Sequence, residues 1–325
     1  MRIKPYQSIL ILSFLLLGVA FFSLLIGSVT ITPTRLFSPA FKGILFLRIT
    51  RIVLALVAGA GLAVTGAILQ GLLKNPLADP YILGISSGSG LGAVVAILFG
   101  LNLSFLGSLS LPLFAFLAGL ATIFLVYLLS KKGARVGTED LLLSGVIITA
   151  MLSGIIMFIV SATEQEGLHS ALWWLLGNTQ IYDLKLLAVV SAITILGVVV
   201  STFLARNLNI MSLGEEEAIT MGLDVEKVKL IFFVISSIMT AAIVSVCGMI
   251  GFVGLIIPHI ARRFIGPDHR RLIPASALCG GIYLILCDIL ARRVTQPIEL
   301  PIGVVTAICG APFFIFFLRR SRRPK

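Results

Sequence analysis

Charge is what this sequence has least of. Of its 325 residues 12% are charged and 14 are acidic, against 58% hydrophobic residues and a mean hydropathy of +1.11. A water-soluble domain carries roughly twice that charged fraction, so a soluble globular fold is excluded. Cysteine and histidine are sparse too. Cys247, Cys279, Cys287 and Cys309 lie in apolar runs with no C-x-x-C pair and read as small core residues. The three histidines are scattered and form no ligand set. No G-x-x-x-x-G-K-[ST] occurs, so the chain lacks that device for binding and splitting ATP. Nor is there an H-E-x-x-H or a nucleophile–base pair. No catalytic, metal-binding or cofactor-binding residue is expected on this chain.

What is present is a succession of apolar runs, most of them long enough to cross a bilayer. Ten are read, at about 8–29, 52–73, 81–100, 111–130, 138–160, 184–204, 230–246, 252–265, 274–292 and 302–318. The fold class expected is therefore an all-α polytopic membrane protein, with residues 1–325 forming a single transmembrane domain. The first run is longer than a signal peptide's core and lacks a clear A-x-A site, so it is read as an uncleaved span. The net charge of +11 does not point to nucleic acid. Basic residues such as Lys131, Lys132, Arg262, Arg263, Arg270, Arg271 and the group from Arg319 to Lys325 cluster where apolar runs end. That is the positive-inside pattern, and it puts both termini in the cytoplasm. One segment breaks it. Residues 30–51 are expected outside, yet carry Arg35, Lys42, Arg48 and Arg51.

Glycine is plentiful, at 31 residues, and it is placed with a period. Gly59, Ala63, Ala67 and Gly71 recur every fourth position, as do Gly84, Gly88, Gly92 and Ala96. Such rows let helix backbones approach closely in lipid. Gly88, Gly90 and Gly92 imitate part of a dinucleotide fingerprint, but they follow no strand and lie inside a span. Between spans two and three, KNPLADP at 74–80 is a tight turn, since Pro76 and Pro80 forbid continuous helix. The fifth span carries Gly145, Thr149, Ser153 and Met157 on one stripe, which suits a pathway lining and helix packing equally. Residues 161–183, with Glu164, Glu166, Trp173 and Trp174, read as an outer interfacial helix.

Residues 205–229 are the polar exception, holding five of the 14 acidic residues. Glu215, Glu216 and Glu217 follow Gly214, where a helix would start and its positive end favours acids. Gly222 supplies a stop, and Asp224 can cap a further helix running into the next span. Two cytoplasmic helices around a glycine hinge are expected, used by something outside the bilayer. A loop kept solvated by its charges fits the same residues. Within the ninth span, Asp288 is either an ion site, which would make a secondary transporter, or a structural carboxylate partnered by Arg292 or backbone donors.

Several segments together carry a resemblance. VAGAGLAVTGAILQ at 57–70, NPLADP at 75–80, LGISSGSGLG at 83–92, GFVGLIIPH at 251–259, DHR at 268–270, DILAR at 288–292, ELPIG at 299–303 and GAP at 310–312 occur in this order and spacing. Over nearly the whole chain the sequence resembles the FecCD-type permeases, the membrane subunits of binding-protein-dependent ABC importers for iron-siderophores, haem and cobalamin. The resemblance implies ten helices per subunit, a homodimer, two separate cytoplasmic ATP-binding subunits that carry ATP and magnesium, and an extracytoplasmic solute-binding protein. It also implies a place in the inner membrane of a prokaryote. Leu213, Gly214, Glu215, Glu216, Glu217, Ala218 and Gly222 match the family's coupling segment. Arg48, Arg51 and Arg292 match outer arginines that receive acidic residues of the binding protein. Asn75, Leu77, Gly137 and Thr138 match positions near the cytoplasmic gate, and Thr149, Ser153 and Met157 would line the pathway. Residues 161–176 match an outer half-helix. Thr50 stands where relatives often have proline, and the three consecutive glutamates depart from the family pattern. An iron chelate is the first-ranked substrate and cobalamin the second.

Overall fold

The computed structural model describes residues 5–27, 42–101, 103, 107–133, 135–163 and 167–321. Arg35, Glu164, Glu166, Arg322, Arg323 and Lys325 fall outside them. The described residues form thirteen α-helices and one two-stranded hairpin, in the order α1 Pro5–Leu25, α2 Lys42–Leu72, α3 Ile85–Leu98, α4 Ser110–Ser130, β1 Lys131–Lys132, β2 Arg135–Val136, α5 Thr138–Ser161, α6 Leu168–Leu175, α7 Leu184–Phe203, α8 Ala205–Met211, α9 Glu215–Thr220, α10 Val225–Cys247, α11 Val253–Ile265, α12 His269–Arg293 and α13 Ile302–Ser321. Seven helices (α1, α2, α4, α5, α7, α10 and α12) are long and apolar enough to cross a membrane. The other three expected spans correspond to α3, α11 and α13, of 14, 13 and 20 residues.

α2 is the central helix. It packs against α12, α11, α10, α7 and α1, and from Thr50 to Leu72 it is buried almost continuously. Burial of apolar area gives little between helices in lipid, so contact has to come from close backbone approach. Glycine provides it. A Cβ on Gly59 would strike the backbone of Gly280 in α12, one on Gly280 would strike Gly59, and one on Gly66 would strike Gly254 in α11. Around this crossing, Leu54, Leu62, Ile243, Val253 and Leu284 fill one core cluster. A second body of packing joins α3, α4 and α5, where Gly88, Gly92 and Gly119 allow the contact.

Three expected boundaries move. α2 begins at Lys42 and not near residue 52, because Arg48 and Arg51 lie inside the helix and are satisfied there. Thr50 lies within the helix, its hydroxyl shared between the carbonyls of Leu47 at 3.0 Å and Ile181 at 3.3 Å. α3 starts late, at Ile85. The turn opened by Pro76 and Pro80 continues to Gly84, whose φ of 82° only glycine adopts readily. α12 starts early, at His269, capped by the Asp268 side chain accepting from the backbone N–H of Arg270. Cysteine is also only partly a core residue: Cys247 and Cys287 are buried, Cys279 is half-buried and Cys309 is exposed.

Candidate functional site

Two polar regions stand at opposite ends of the bundle. The first is built on residues 205–229. α8 follows α7 directly and buries Ala205, Leu208 and Met211 against Val64, Ile68, Val228 and Phe232. α9 then begins after Gly214 with its three glutamates in the first turn. Glu217 folds its carboxylate back over Gly214, while Ala218, fully buried, turns inward. Gly222 has φ 80° and ends the helix, and Asp224 caps α10 by accepting from the N–H of Lys227. The expected helices exist, but the second is one unbroken helix, α10, that runs on into the span.

This segment is clamped at its base and bare at its tip. Lys229 on α10 reaches Glu215 at 2.9 Å and Glu226 at 3.2 Å, and also donates to the carbonyl of Val136 in the hairpin. Asn209 on α8 donates to Asp268 at 2.6 Å and accepts from the backbone N–H of His269 at 2.8 Å. The same Asn209 oxygen faces His269 Nδ1, so that nitrogen carries the ring's proton. Burial works against ionisation of Asp268. The Asn209 amide, its own cap bond to Arg270 N–H and the charges of Arg270 and Arg271 outweigh it, holding the carboxyl below the ordinary carboxylate range. The tip, by contrast, exposes Leu213 at 62%, Ile219 at 56% and Met221 at 62% beside the exposed Glu216 and Glu217.

Asn75, Leu77, Gly137 and Thr138, expected near a gate, lie at this same end. Asn75 accepts from the N–H of Leu77, an Asx turn that closes the chain after α2. Leu77 itself is 43% exposed. Gly137 precedes α5 and Thr138 opens it, and a small cleft brings Thr138 together with Leu72, Leu73, Glu226 and Lys229. The α5 stripe divides. Thr149 faces Gly84 in the turn before α3, Ser153 is half-buried, and Met157 points outward at 72% exposure.

The second region is a buried ionic cluster. Asp288, with no exposed surface, receives Arg51 Nε at 2.6 Å and the Thr179 hydroxyl at 2.6 Å on one oxygen. Arg292 Nε stands 3.0 Å from its other oxygen, an ion contact without hydrogen-bond alignment. Arg51 also bonds Glu299 at 2.6 Å, and Gln180 donates to the same Glu299 oxygen at 2.9 Å. Arg292 donates to the Ile26 carbonyl and the Ser23 hydroxyl, and Arg48 to the Leu24 carbonyl. The three arginines therefore tie the end of α1 to α2 and α12. They are buried, with 4–8% exposure, rather than displayed on an outer loop. A cavity of about 230 Å³, lined by Arg48, Arg51, Arg292, Gln180, Tyr182 and Glu299, opens onto them. Arg292 was the partner that spacing offered Asp288. Arg51, 237 residues away, and Thr179 were not, nor was Glu299 as the second partner of Arg51, since nothing local in the sequence links them.

The FecCD transport family model matches residues 15–320. The ABC transporter permease protein YvrB of Bacillus subtilis is 42% identical over 278 residues, covering 85% of this chain and 78% of YvrB. The cobalamin import system permease protein BtuC of Halobacterium salinarum is 41% identical over 274 residues, covering 84% of this chain and 72% of that one. Other relatives are permeases of haem, iron(III) dicitrate and iron(III)-hydroxamate transport. Among solved structures, an inward-facing conformation of a metal-chelate type ABC transporter superposes with a TM-score of 0.86 at 32% identity, over 97% of this chain and 99% of that one. The chain belongs to the FecCD transport family, as a permease subunit of an ABC importer.

Proposed function

We propose that two copies of this chain form the membrane pathway through which an ABC importer takes up a large metal chelate by alternating access. An iron chelate is the first candidate and cobalamin the second, in line with what the relatives carry. Two separate cytoplasmic subunits bind ATP with magnesium and dock on residues 213–223. An extracytoplasmic binding protein docks over the cavity lined by Arg48, Arg51 and Arg292. In this reading the α9 end is cytoplasmic, both termini are inside, and the host membrane is a prokaryotic inner membrane.

The observation that carries the reading is the α9 knob: exposed Leu213, Ile219 and Met221 on a segment clamped to α10 by Lys229 and to α12 by Asn209. A partner that grips the tip pulls on both helices through those clamps. ATPase closure would in this way reach the spans, with Asn75, Leu77, Gly137 and Thr138 at the gate and Thr149, Ser153 and Met157 along or beside the pathway. At the other end, acidic side chains of the binding protein would approach fixed cations, which favours fast and correctly oriented encounter. The test is Glu217→Arg in the assembled transporter. The expected outcome is loss of the co-purifying ATP-binding subunit or of transport-coupled hydrolysis, with the membrane subunit still folded. Unaltered coupling would remove residues 213–223 from the role. An ion-coupled carrier using Asp288 is disfavoured by geometry, because its carboxylate is already held by Arg51, Thr179 and Arg292.

A further inference from the structure

One fissure in the bundle is not filled by protein. α4 and α7 both pack against α10 but hardly touch each other, so a slot runs between them with α10 as its floor. The floor is made of small residues, Ala242 and Ser245. The Ser245 hydroxyl is turned back onto the Ala242 carbonyl at 2.9 Å, which leaves an apolar surface. The walls are Leu113 and Phe116 from α4 and Val189 and Ile193 from α7, around a volume of about 300 Å³. Both walls belong to helices long and apolar enough to span a membrane, and Val189 at the rim is 53% exposed. The slot therefore opens sideways.

At the α6 end the slot widens. It shares Pro112, Leu186 and Ser245 with a mouth of about 580 Å³ whose character is different. His169 and Trp173 stack there at 5.2 Å, and Trp174, Tyr182 and Gln180 complete an aromatic and amide rim. The Ser108 hydroxyl donates to Asp183 at 2.6 Å and clasps the start of α4 to the cap of α7 above the slot. Among the described lining residues Asp183 is the acidic one and none is a lysine or arginine; Lys185, whose charge also acts on Asp183, lies outside the lining. Its bonds from Ser108 and from the N–H groups of Lys185 and Leu186 hold the carboxyl below its usual range. It is anionic at neutral pH.

We propose that this fissure holds one acyl chain of a membrane phospholipid bearing a primary ammonium, such as a phosphatidylethanolamine, with its headgroup in the mouth beside Asp183. The argument rests on the reading of the chain as a membrane-spanning permease. An acyl chain gains little by leaving bulk lipid for an apolar slot, so the headgroup decides selectivity. An ammonium meets a carboxylate and aromatic faces, whereas an anionic headgroup meets the same carboxylate with no lysine or arginine among the described lining residues, Lys185 lying beyond them. Aromatic side chains at headgroup depth are also where membrane proteins ordinarily place them.

The test reconstitutes the intact transporter in bilayers of phosphatidylethanolamine or phosphatidylglycerol and counts retained lipid by native mass spectrometry after brief delipidation. About one phosphatidylethanolamine per chain is expected, retained about three- to tenfold better than phosphatidylglycerol. Val189→Trp fills the slot from its exposed rim and should abolish retention of either lipid. Asp183→Asn keeps the helix cap and should erase the headgroup preference while leaving chain occupancy. Equal retention of both lipids by the unaltered protein, or retention indifferent to both substitutions, overturns the proposal. So does a mouth that retains no lipid and is occupied by the extracytoplasmic partner instead. Coupling of the ATP-binding subunit, followed in the same samples, separates this outcome from failure of the functional reading.

Discussion

The two ends of the bundle handle charge in opposite ways. At the α1–α2–α12 end, Arg48, Arg51, Arg292 and Asp288 are buried and held by side-chain or carbonyl partners. At the α9 end Glu216 and Glu217 stand in the open, and only the base of the segment is clamped. Removing one member of a buried pair strands the other in a low-dielectric interior and costs several kcal/mol, whereas a solvent-exposed charge can be replaced almost without thermodynamic effect. Charge at the first end is thus part of what holds the fold. At the second it is available for recognition.

The comparison can be broken at several points. Asp288→Ala should be the most damaging change, destabilising by about 3–5 kcal/mol because Arg51 and Arg292 lose their shared partner. Thermal unfolding of the detergent-solubilised protein measures this, and a shift of less than about 1 kcal/mol would show the cluster to be hydrated. Gly59→Val should cost about 3 kcal/mol or more, since its side chain meets the Gly280 backbone, which has no room to yield. Thr179→Val removes one hydrogen bond to a buried carboxylate and should cost about 1.5–3 kcal/mol in the same assay. Glu217→Arg should move stability by no more than about 0.5 kcal/mol while abolishing coupling. A large loss of stability there would make the two ends alike. The smallest effect expected is at Asp268. Its folded carboxyl titrates below the unfolded one, so its contribution is present above the ordinary carboxylate range and fades as pH falls through the folded value. Asp268→Asn should flatten that acid limb and, at neutral pH, forfeit the small contribution that the ionised carboxylate makes there.

The contrast also separates what was readable along the chain from what was not. The α9 segment was legible because its signals are local: Gly214, three glutamates, Gly222 and Asp224 set a start, a first turn, a stop and a cap within eleven residues. Helix existence was legible for the same reason, from long apolar runs. The arginine cluster was not. Arg48 and Arg51 look like the end of a span, since charge ordinarily ends one; α2 continues through them because the Leu24 carbonyl receives Arg48 and because Asp288 and Glu299, more than 230 residues on, receive Arg51. The late start of α3 depends on Gly84 taking a left-handed turn, and the divided α5 stripe depends on Gly145 and Thr149 facing the turn before α3. Both are tertiary facts that periodicity does not encode.

The glycine crossing of α2 and α12 has a mechanical meaning. Gly59 and Gly280 bring the two backbones into direct contact, and Arg51, Asp288 and Arg292 pin the same pair near one end. A joint with interlocked backbones and a pinned end can neither slide nor swivel without breaking both. The pair behaves as a single strut, so rearrangement during transport is expected where the strut meets its neighbours, α7, α10, α11 and α13. A covalent tie between α2 and α12 should therefore leave uptake intact, and one between α12 and α13 should arrest it.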